Sequence, residues 1–157
     1  EAMKIKTADL IGRPLRYAVA VCEGFNVGIL TAEEQWERFI EGTSSEDLEK
    51  YADEYAAIKA GLKAGVCNVH GDGYKSTLDA RAWRFDEDWG VGGPMLDREE
   101  ITIDYRDNET QARKWSNKKN AFTTASAGKK QGLIAAMRCL VASRLGDEVE
   151  VPDELVQ

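Results

Sequence analysis

The sequence predicts a single α+β domain, residues 1–157, in which N- and C-terminal helices cover an antiparallel sheet of about three to five strands. Three observations indicate this fold. Apolar residues recur at helical spacing in the first 62 residues, alternate at strand spacing between residues 81 and 124, and return to helical spacing near the end of the chain. With 43% hydrophobic and 31% charged residues, the composition is that of a globular protein large enough to bury one core.

The first helix is predicted from Pro14, which is favoured at the start of a helix, to Gly24, which favours its end. One face of this helix is predicted to be buried, because its apolar residues are spaced by three or four positions. These residues are Leu15, Ala18, Val19 and Cys22. Ahead of the helix, Glu1 and Ala2 are expected to be an expression-vector remnant before a native Met3.

Residues 31–65 are predicted to be a helical insertion that contains a pair of helices. Thr31 and Glu34 have the spacing of a capping box at the start of the first helix. The second helix, which begins at Ser44 or Ser45, is predicted to carry an apolar seam that packs on another helix or on a sheet. The seam consists of Leu48, Tyr51, Tyr55, Ile58 and Leu62. An alternative is that Tyr51, Tyr55 and Ile58 form the seam of a homodimer.

The strands of the sheet are predicted in the second half of the chain. The alternating stretches are Arg81–Phe85, Ile101–Arg106, Ala112–Trp115 and Ala121–Thr124. Between the first two, the residues from Gly90 to Pro94 are predicted to form a tight, rigid loop, because glycine and proline both disfavour regular structure.

The last helix is predicted from Leu133 to Leu145, with Gly146 as its cap. Its apolar face is predicted to pack on the sheet. That face consists of Leu133, Ile134, Met137, Leu140, Val141 and Leu145. Beyond the helix, Val149 and Val151 alternate with acidic residues until Pro152 interrupts the pattern.

Charge is distributed unevenly along the chain. The net charge is −7, yet the window from Gln111 to Gly146 contains eight basic residues and no acidic one, which leaves 13 basic and 28 acidic residues elsewhere. Such segregation indicates an anionic partner for one face of the molecule. The basic residues are Arg113, Lys114, Lys118, Lys119, Lys129, Lys130, Arg138 and Arg144.

The basic window provides the first candidate site. Lys118, Lys119, Lys129 and Lys130 are the predicted anion-facing residues, and Trp115 is predicted to stack on the partner or to anchor it. We expect the partner to be a macromolecule, with an acidic protein surface favoured over nucleic acid. A nucleic-acid-binding protein that uses residues 113–144 is the alternative, because aromatic residues among cations can stack bases. Charge balance within the molecule is the non-functional interpretation.

The second candidate site is the segment that contains Asp88, Trp89, Gly92 and Gly93. A tryptophan beside a glycine-rich loop can stack on a small molecule, in a binding or an enzymatic site, or can fill part of the core; the second role is favoured. The ligand hypothesis requires a concave apolar pocket at this position.

Catalytic and metal-binding motifs lack support in this sequence. The segment Gly71–Ser76 has Tyr74 where a phosphate loop requires glycine, and His70 is the only histidine. The three cysteines form no CxxC pair. We therefore expect a protein that is not an enzyme and that has no cofactor or metal. No apolar run approaches the ~20 residues of a membrane span, and the start lacks the apolar core of a signal peptide, so we expect a cytosolic protein without a membrane partner.

Two stretches together resemble the NinX-like phage family, a domain of unknown function related in pattern to small phage α-β-α sandwich domains. The first runs from Asp88-Trp89 through Gly92-Gly93-Pro94-Met95-Leu96 to Arg98-Glu99 and Ile101; the second is the run from Leu133 to Val149. The segment from Met3 to Gly24 also fits. Two turns depart from the family pattern, at residues 85–87 and 129–132. The resemblance implies a bacteriophage or prophage accessory protein in the cytoplasm of the bacterial host, and the expected partner is then a host or phage macromolecule. It implies no activity.

Overall fold

The computed structural model describes residues 1–78 and 84–157. Its helices are α1 (Gly12–Cys22), α2 (Ala32–Ile40), α3 (Ser45–Lys50), α4 (Ala52–Gly61), α5 (Trp89–Glu99) and α6 (Gly132–Leu145). Its strands are β1 (Ala2–Lys6), β2 (Val27–Leu30), β3 (Gly65–Val69), β4 (Lys75–Thr77), β5 (Thr102–Tyr105), β6 (Glu109–Ser116), β7 (Ala121–Gly128) and β8 (Glu148–Pro152). The predicted strand Arg81–Phe85 lies mostly outside the described residues.

The strands form antiparallel sheets, which confirms the α+β prediction. Two sheets have three strands each, in the orders β2-β3-β4 and β5-β6-β7, and β1 pairs with β8 in a third. The prediction of three more strands after residue 100 is correct, although β6 and β7 are longer than expected, at eight residues each. The described strands are therefore divided among three small sheets.

The core lies around α6, which packs between α1 and the sheet β5-β6-β7. The predicted apolar face of α1 is confirmed: Leu15, Ala18 and Val19 are fully buried. On α6 the burial extends nearly all round the helix, as expected for a helix covered on several sides. The fully buried residues of α6 include Ala135, Ala136, Met137, Cys139, Leu140 and Val141.

The strand β1 was missing from the prediction. It pairs with β8 in a register that sets Lys4 opposite Glu150 and Lys6 opposite Glu148, so charged side chains of opposite sign face each other on the exposed side. The Thr7 hydroxyl, just after β1, donates a 2.6 Å hydrogen bond to the carbonyl oxygen of Gly146. The alternation seen in Val149 and Val151 is therefore that of a strand, and its partner comes from the opposite end of the chain.

The helices α2, α3 and α4 lie in the connection between β2 and β3, two strands that pair directly. The capping box is confirmed: the Glu34 amide donates to the Thr31 hydroxyl and the Thr31 amide donates to the Glu34 carboxylate. The seam of the second helix is corrected in two respects. The backbone leaves the helix at Tyr51 (φ −112°, ψ 34°), which divides it into α3 and α4, and neither helix buries a residue.

The loop predicted from Gly90 to Pro94 is wrong, because these residues belong to α5. The Asp88 side chain caps the helix by accepting a 2.8 Å hydrogen bond from the Gly90 amide. Burial of Met95 and Leu96 on one side of α5 favours the helix more than glycine and proline disfavour it. Gly92 is required for packing, because a Cβ atom there would overlap the backbone oxygen of Phe85 and the side chain of Leu133.

We predict that Gly92→Ala lowers the free energy of unfolding by about 2–3 kcal/mol, since the methyl group has to displace backbone. Gly93 is the matched control: it is the next residue of the same helix, and a Cβ atom there would have no neighbour within 4 Å. Gly93→Ala is expected to be neutral or to stabilise by up to about 1 kcal/mol. Urea unfolding of both variants measures the difference, and equal effects would contradict the packing argument.

Candidate functional site

The candidate site is built on the hairpin of β6 and β7. The two strands pair along their whole length, from Glu109 opposite Gly128 to Ser116 opposite Ala121. Because side chains alternate, one face of the hairpin packs on α6 and the other faces outward. Ala112 and Ala127 are buried on the inner face. Trp115 and Phe122, a directly opposed pair, are exposed on the outer face.

Trp115 and Phe122 form an aromatic pair that remains accessible to a partner. Their ring centroids are 4.9 Å apart at an interplanar angle of 69°, an edge-to-face contact. Trp115 is 45% exposed and Phe122 is 55% exposed. The indole nitrogen donates a 2.7 Å hydrogen bond to the Asn117 side chain, and the Arg113 guanidinium lies 5.3 Å from the Phe122 ring centroid. The rings are therefore held in place before any partner binds.

The four predicted lysines do not form one patch. Lys118 and Lys119 are exposed in the turn between β6 and β7, beside the aromatic pair. Lys129 and Lys130 follow the other end of β7, in the turn that leads into α6. Eight residues of β7 separate the two pairs, which is about 25 Å along a strand. Only the first pair is next to Trp115, so the structure divides the predicted site in two.

Three other basic residues of the window have structural partners. Arg138 donates 2.8 Å hydrogen bonds to the carbonyl oxygens of Leu10 and Ser126, which ties α6 to β7 and to the segment before α1. Lys114 and Arg144 both contact the carboxylate of Glu99. These residues contribute to the fold, and only part of their positive charge is available to a partner.

Glu99 was not predicted as a site residue, yet its carboxylate connects α5, β6 and α6 through ion pairs. Its side chain is 8% exposed and contacts Lys114 at 3.1 Å, Arg98 at 3.3 Å and also Arg144. Burial alone would raise the pKa of the carboxyl group, but the hydrogen bonds from Arg144 and Lys114 outweigh it, so the pKa is lowered. The sequence contains one indication of this contact. Lys114 is two residues from Ala112 on β6, so its side chain lies on the same inner face, where a lysine needs a carboxylate partner.

A cleft lies between the hairpin turn and the last turn of α6, over this ion-pair cluster. Its volume is about 230 Å³, and Trp115 is part of its wall. Its other lining residues are Lys114, Ser116, Lys119, Thr123, Ser143 and Arg144. The cleft thus gathers three cations of the basic window and three hydroxyl groups.

The second candidate site is only partly formed by the residues predicted for it. Trp89 is 51% exposed, so the favoured interpretation of it as a core residue is wrong. It lines an open groove of about 520 Å³ between α5 and β5 together with Gly93, whereas Asp88 caps α5 and Gly92 is packed in the interior. The remaining lining residues are Pro94, Leu96, Asp97, Ile101, Ile103 and Tyr105.

Among the described residues, the potential metal ligands, the histidine and the thiols provide no catalytic group at either site. Within residues 1–78 and 84–157, no three His, Cys, Asp or Glu side chains are arranged to hold a metal ion. The His70 ring forms a 2.7 Å hydrogen bond with the Ser76 hydroxyl in a turn. Burial raises the pKa of the Cys22 and Cys139 thiols to about 11, so both are protonated at neutral pH. In the described part of the chain, no helix is long and apolar enough to cross a bilayer.

A protein-family model described as "Bacteriophage P22, NinX" matches residues 6–144, most of the chain. The chain belongs to the NinX family of phage proteins. The match contains both candidate sites and the helices between β2 and β3, and it ends at the last turn of α6. A search of curated proteins found no match. Membership of the NinX family confirms the resemblance and the phage origin that it implied.

We predict that Glu99→Gln lowers the free energy of unfolding at pH 7 by about 2 kcal/mol, because the neutral amide removes the buried negative charge that three partly exposed cations contact. The pKa of Glu99 is lower in the folded protein than the ordinary value of 4.5, so its contribution is complete above that pH. It is lost as the pH falls through the folded-state pKa. The difference between the two proteins should therefore shrink in acid.

Denaturant unfolding at pH 7 and at several acidic pH values measures this effect. Glu100→Gln is the matched control, since Glu100 is the adjacent residue, is exposed, and has no ion pair among the described residues. A pH-independent difference for Glu99→Gln, or an equal loss for Glu100→Gln, would contradict the role of the Glu99 ion pairs.

Proposed function

We propose that this NinX-family chain is a non-enzymatic phage accessory protein that binds a macromolecule through the turn end of the β6–β7 hairpin, and that the macromolecule is a single-stranded nucleic acid. The exposed Trp115–Phe122 pair carries the proposal. Base stacking on such rings contributes about 1–3 kcal/mol per base and needs no particular sequence.

Charge around the rings supports the same partner. Arg113, Lys118 and Lys119 are exposed near the aromatic pair, and the segment from Gln111 to Gly146 has no acidic residue that could repel a phosphate. Outside this segment the chain has 13 basic and 28 acidic residues, and this excess of negative charge disfavours extended wrapping by a polyanion. These features fit a short contact of a few nucleotides. An acidic protein surface, the partner favoured by the sequence, would use the same cations but has less need of exposed stacking rings.

We predict that Trp115→Ala weakens binding of a fluorescein-labelled oligothymidylate by about 5- to 100-fold, because a stacking surface is lost. Fluorescence anisotropy at low salt measures the affinity. Three exposed cations predict a slope of about −2 when the logarithm of the binding constant is plotted against the logarithm of salt concentration. Trp115 is half exposed, so its removal should leave the free energy of unfolding nearly unchanged.

The two lysine pairs provide the matched control. Replacing Lys118 and Lys119 by alanine should weaken oligonucleotide binding several-fold and flatten the salt dependence, whereas the same change at Lys129 and Lys130 should alter affinity less than about twofold. Absence of binding at low salt would refute the nucleic-acid function. Direct binding of a fluorescein-labelled acidic peptide, with no oligonucleotide binding, would favour an acidic protein surface as the partner.

A second candidate function is supported by the groove between α5 and β5. Trp89 and Tyr105 are 51% and 57% exposed, and both flank an apolar floor that includes Leu96 and Ile101. Both rings also approach the backbone of Gly132, so they converge at the start of α6. A groove with two aromatic walls suits a small planar molecule.

We predict that ligand-observed NMR against a library of planar aromatic fragments finds binders to the native protein that Trp89→Ala loses, because half of the stacking surface is removed. Trp115→Ala, which changes an exposed tryptophan at the other site, should retain them. Identical fragment binding by the native protein and by Trp89→Ala would exclude this groove.

A further inference from the structure

The cleft between the hairpin turn and the end of α6 has an excess of positive charge. Glu99 is contacted by Arg98, Lys114 and Arg144, and Arg98 is also paired with Glu23. Lys119, which lines the cleft, has no ion pair among the described residues. The cleft and the ion pairs beneath it thus contain four cations and two carboxylates, which gives a net charge of about +2.

The lining also supplies neutral groups that hydrogen-bond to an anion. The Ser116 hydroxyl accepts a bond from the Lys119 amide and keeps its own proton for a ligand. Thr123 contributes a second hydroxyl on the opposing strand. Lys114 donates hydrogen bonds to the carboxylate and to the backbone oxygen of Glu99, which fix its position beside the cleft.

The size of the cleft limits what it accepts. At about 230 Å³ it is below the ~300–1,000 Å³ of sites that enclose a whole drug-sized ligand. It therefore suits a compact head group, while the remainder of the ligand stays outside. Trp115 also lines the cleft, while its ring pairs with Phe122 on the outer face of the hairpin, so the cleft and the aromatic pair lie at the same end of the hairpin.

We propose that this cleft binds a phosphomonoester, and that the remainder of the ligand contacts the aromatic pair at the same end of the hairpin. A phosphomonoester carries about −1.5 to −2 charges at neutral pH, which matches the positive excess; an internal phosphodiester carries one. The monoester is supplied by the phosphorylated end of a strand or by a free mononucleotide. This inference rests on the proposed nucleic-acid function and names the part of the ligand that the site distinguishes.

The test compares oligothymidylates that carry a 5′-phosphate, a 3′-phosphate or neither, together with thymidine monophosphate and thymidine. We expect one phosphorylated end to bind at least about fivefold more tightly than the unphosphorylated strand, through charge-assisted hydrogen bonds. We expect thymidine monophosphate to bind at least about tenfold more tightly than thymidine. Competition against the labelled strand and isothermal titration calorimetry measure the two comparisons and identify the source of the monoester.

Neighbouring lysines supply the matched variants. Lys119→Ala should reduce the preference for the phosphorylated strand to less than about twofold, because Lys119 lines the cleft. Lys118→Ala should weaken all strands alike and keep the preference, because Lys118 does not line it. Neither change touches Glu99, so both proteins should fold.

Each outcome bears on one proposal. Strands that bind equally well with and without a terminal phosphate, together with no preference for thymidine monophosphate over thymidine, would overturn the phosphomonoester site and leave the proposed function intact. Binding of thymidine monophosphate without any strand binding would support the cleft and refute the proposed function. Equal loss of the preference in both lysine variants would overturn the assignment to this cleft.

Discussion

The contact between the Glu99 carboxylate and its three cations determines how the second half of the molecule is assembled. Glu99 ends α5, Lys114 lies on the inner face of β6, and Arg144 is in the last turn of α6, so one buried carboxylate joins a helix, a strand and a second helix. Arg144 also donates to the carbonyl oxygen of Cys22 at the end of α1. Since a buried charge is tolerated only with partners, these elements are constrained to meet at this point.

The backbone at the end of α5 places Glu99 there. Glu100 adopts a left-handed conformation (φ 54°), and the Ile101 amide donates to the Leu96 carbonyl oxygen, which closes the helix. The chain then continues directly into β5. At the other end, Asp88 caps the helix, and Gly92 lets it approach Phe85 and Leu133 closely. The position of the ion pairs therefore depends on a helix that the composition of its own segment disfavours.

Local patterns were sufficient for α1, α6 and the strands β5 to β7, because each buries a face whose period is visible in the sequence. They were insufficient for β1, whose partner is at the far end of the chain, and for α5, where tertiary packing outweighs the low helix propensity of glycine and proline. At the sites, Trp115 was predictable as an aromatic residue among cations. The ion pairs of Glu99 were not, since they join residues from separate elements.

The basic window shows why charge in sequence differs from charge on a surface. Strand alternation turns Lys114 inward to Glu99 while Arg113 remains outside, although the two are neighbours in the chain. The length of β7 then separates the pair at Lys118 from the pair at Lys129. The turn end of the hairpin therefore has fewer cations than the sequence suggested. These cations lie beside two exposed rings, and the Glu99 carboxylate neutralises only part of their charge. A small cationic surface of this kind favours a short contact, in which a phosphate and an aromatic base lie close together, over extended binding along a polyanion.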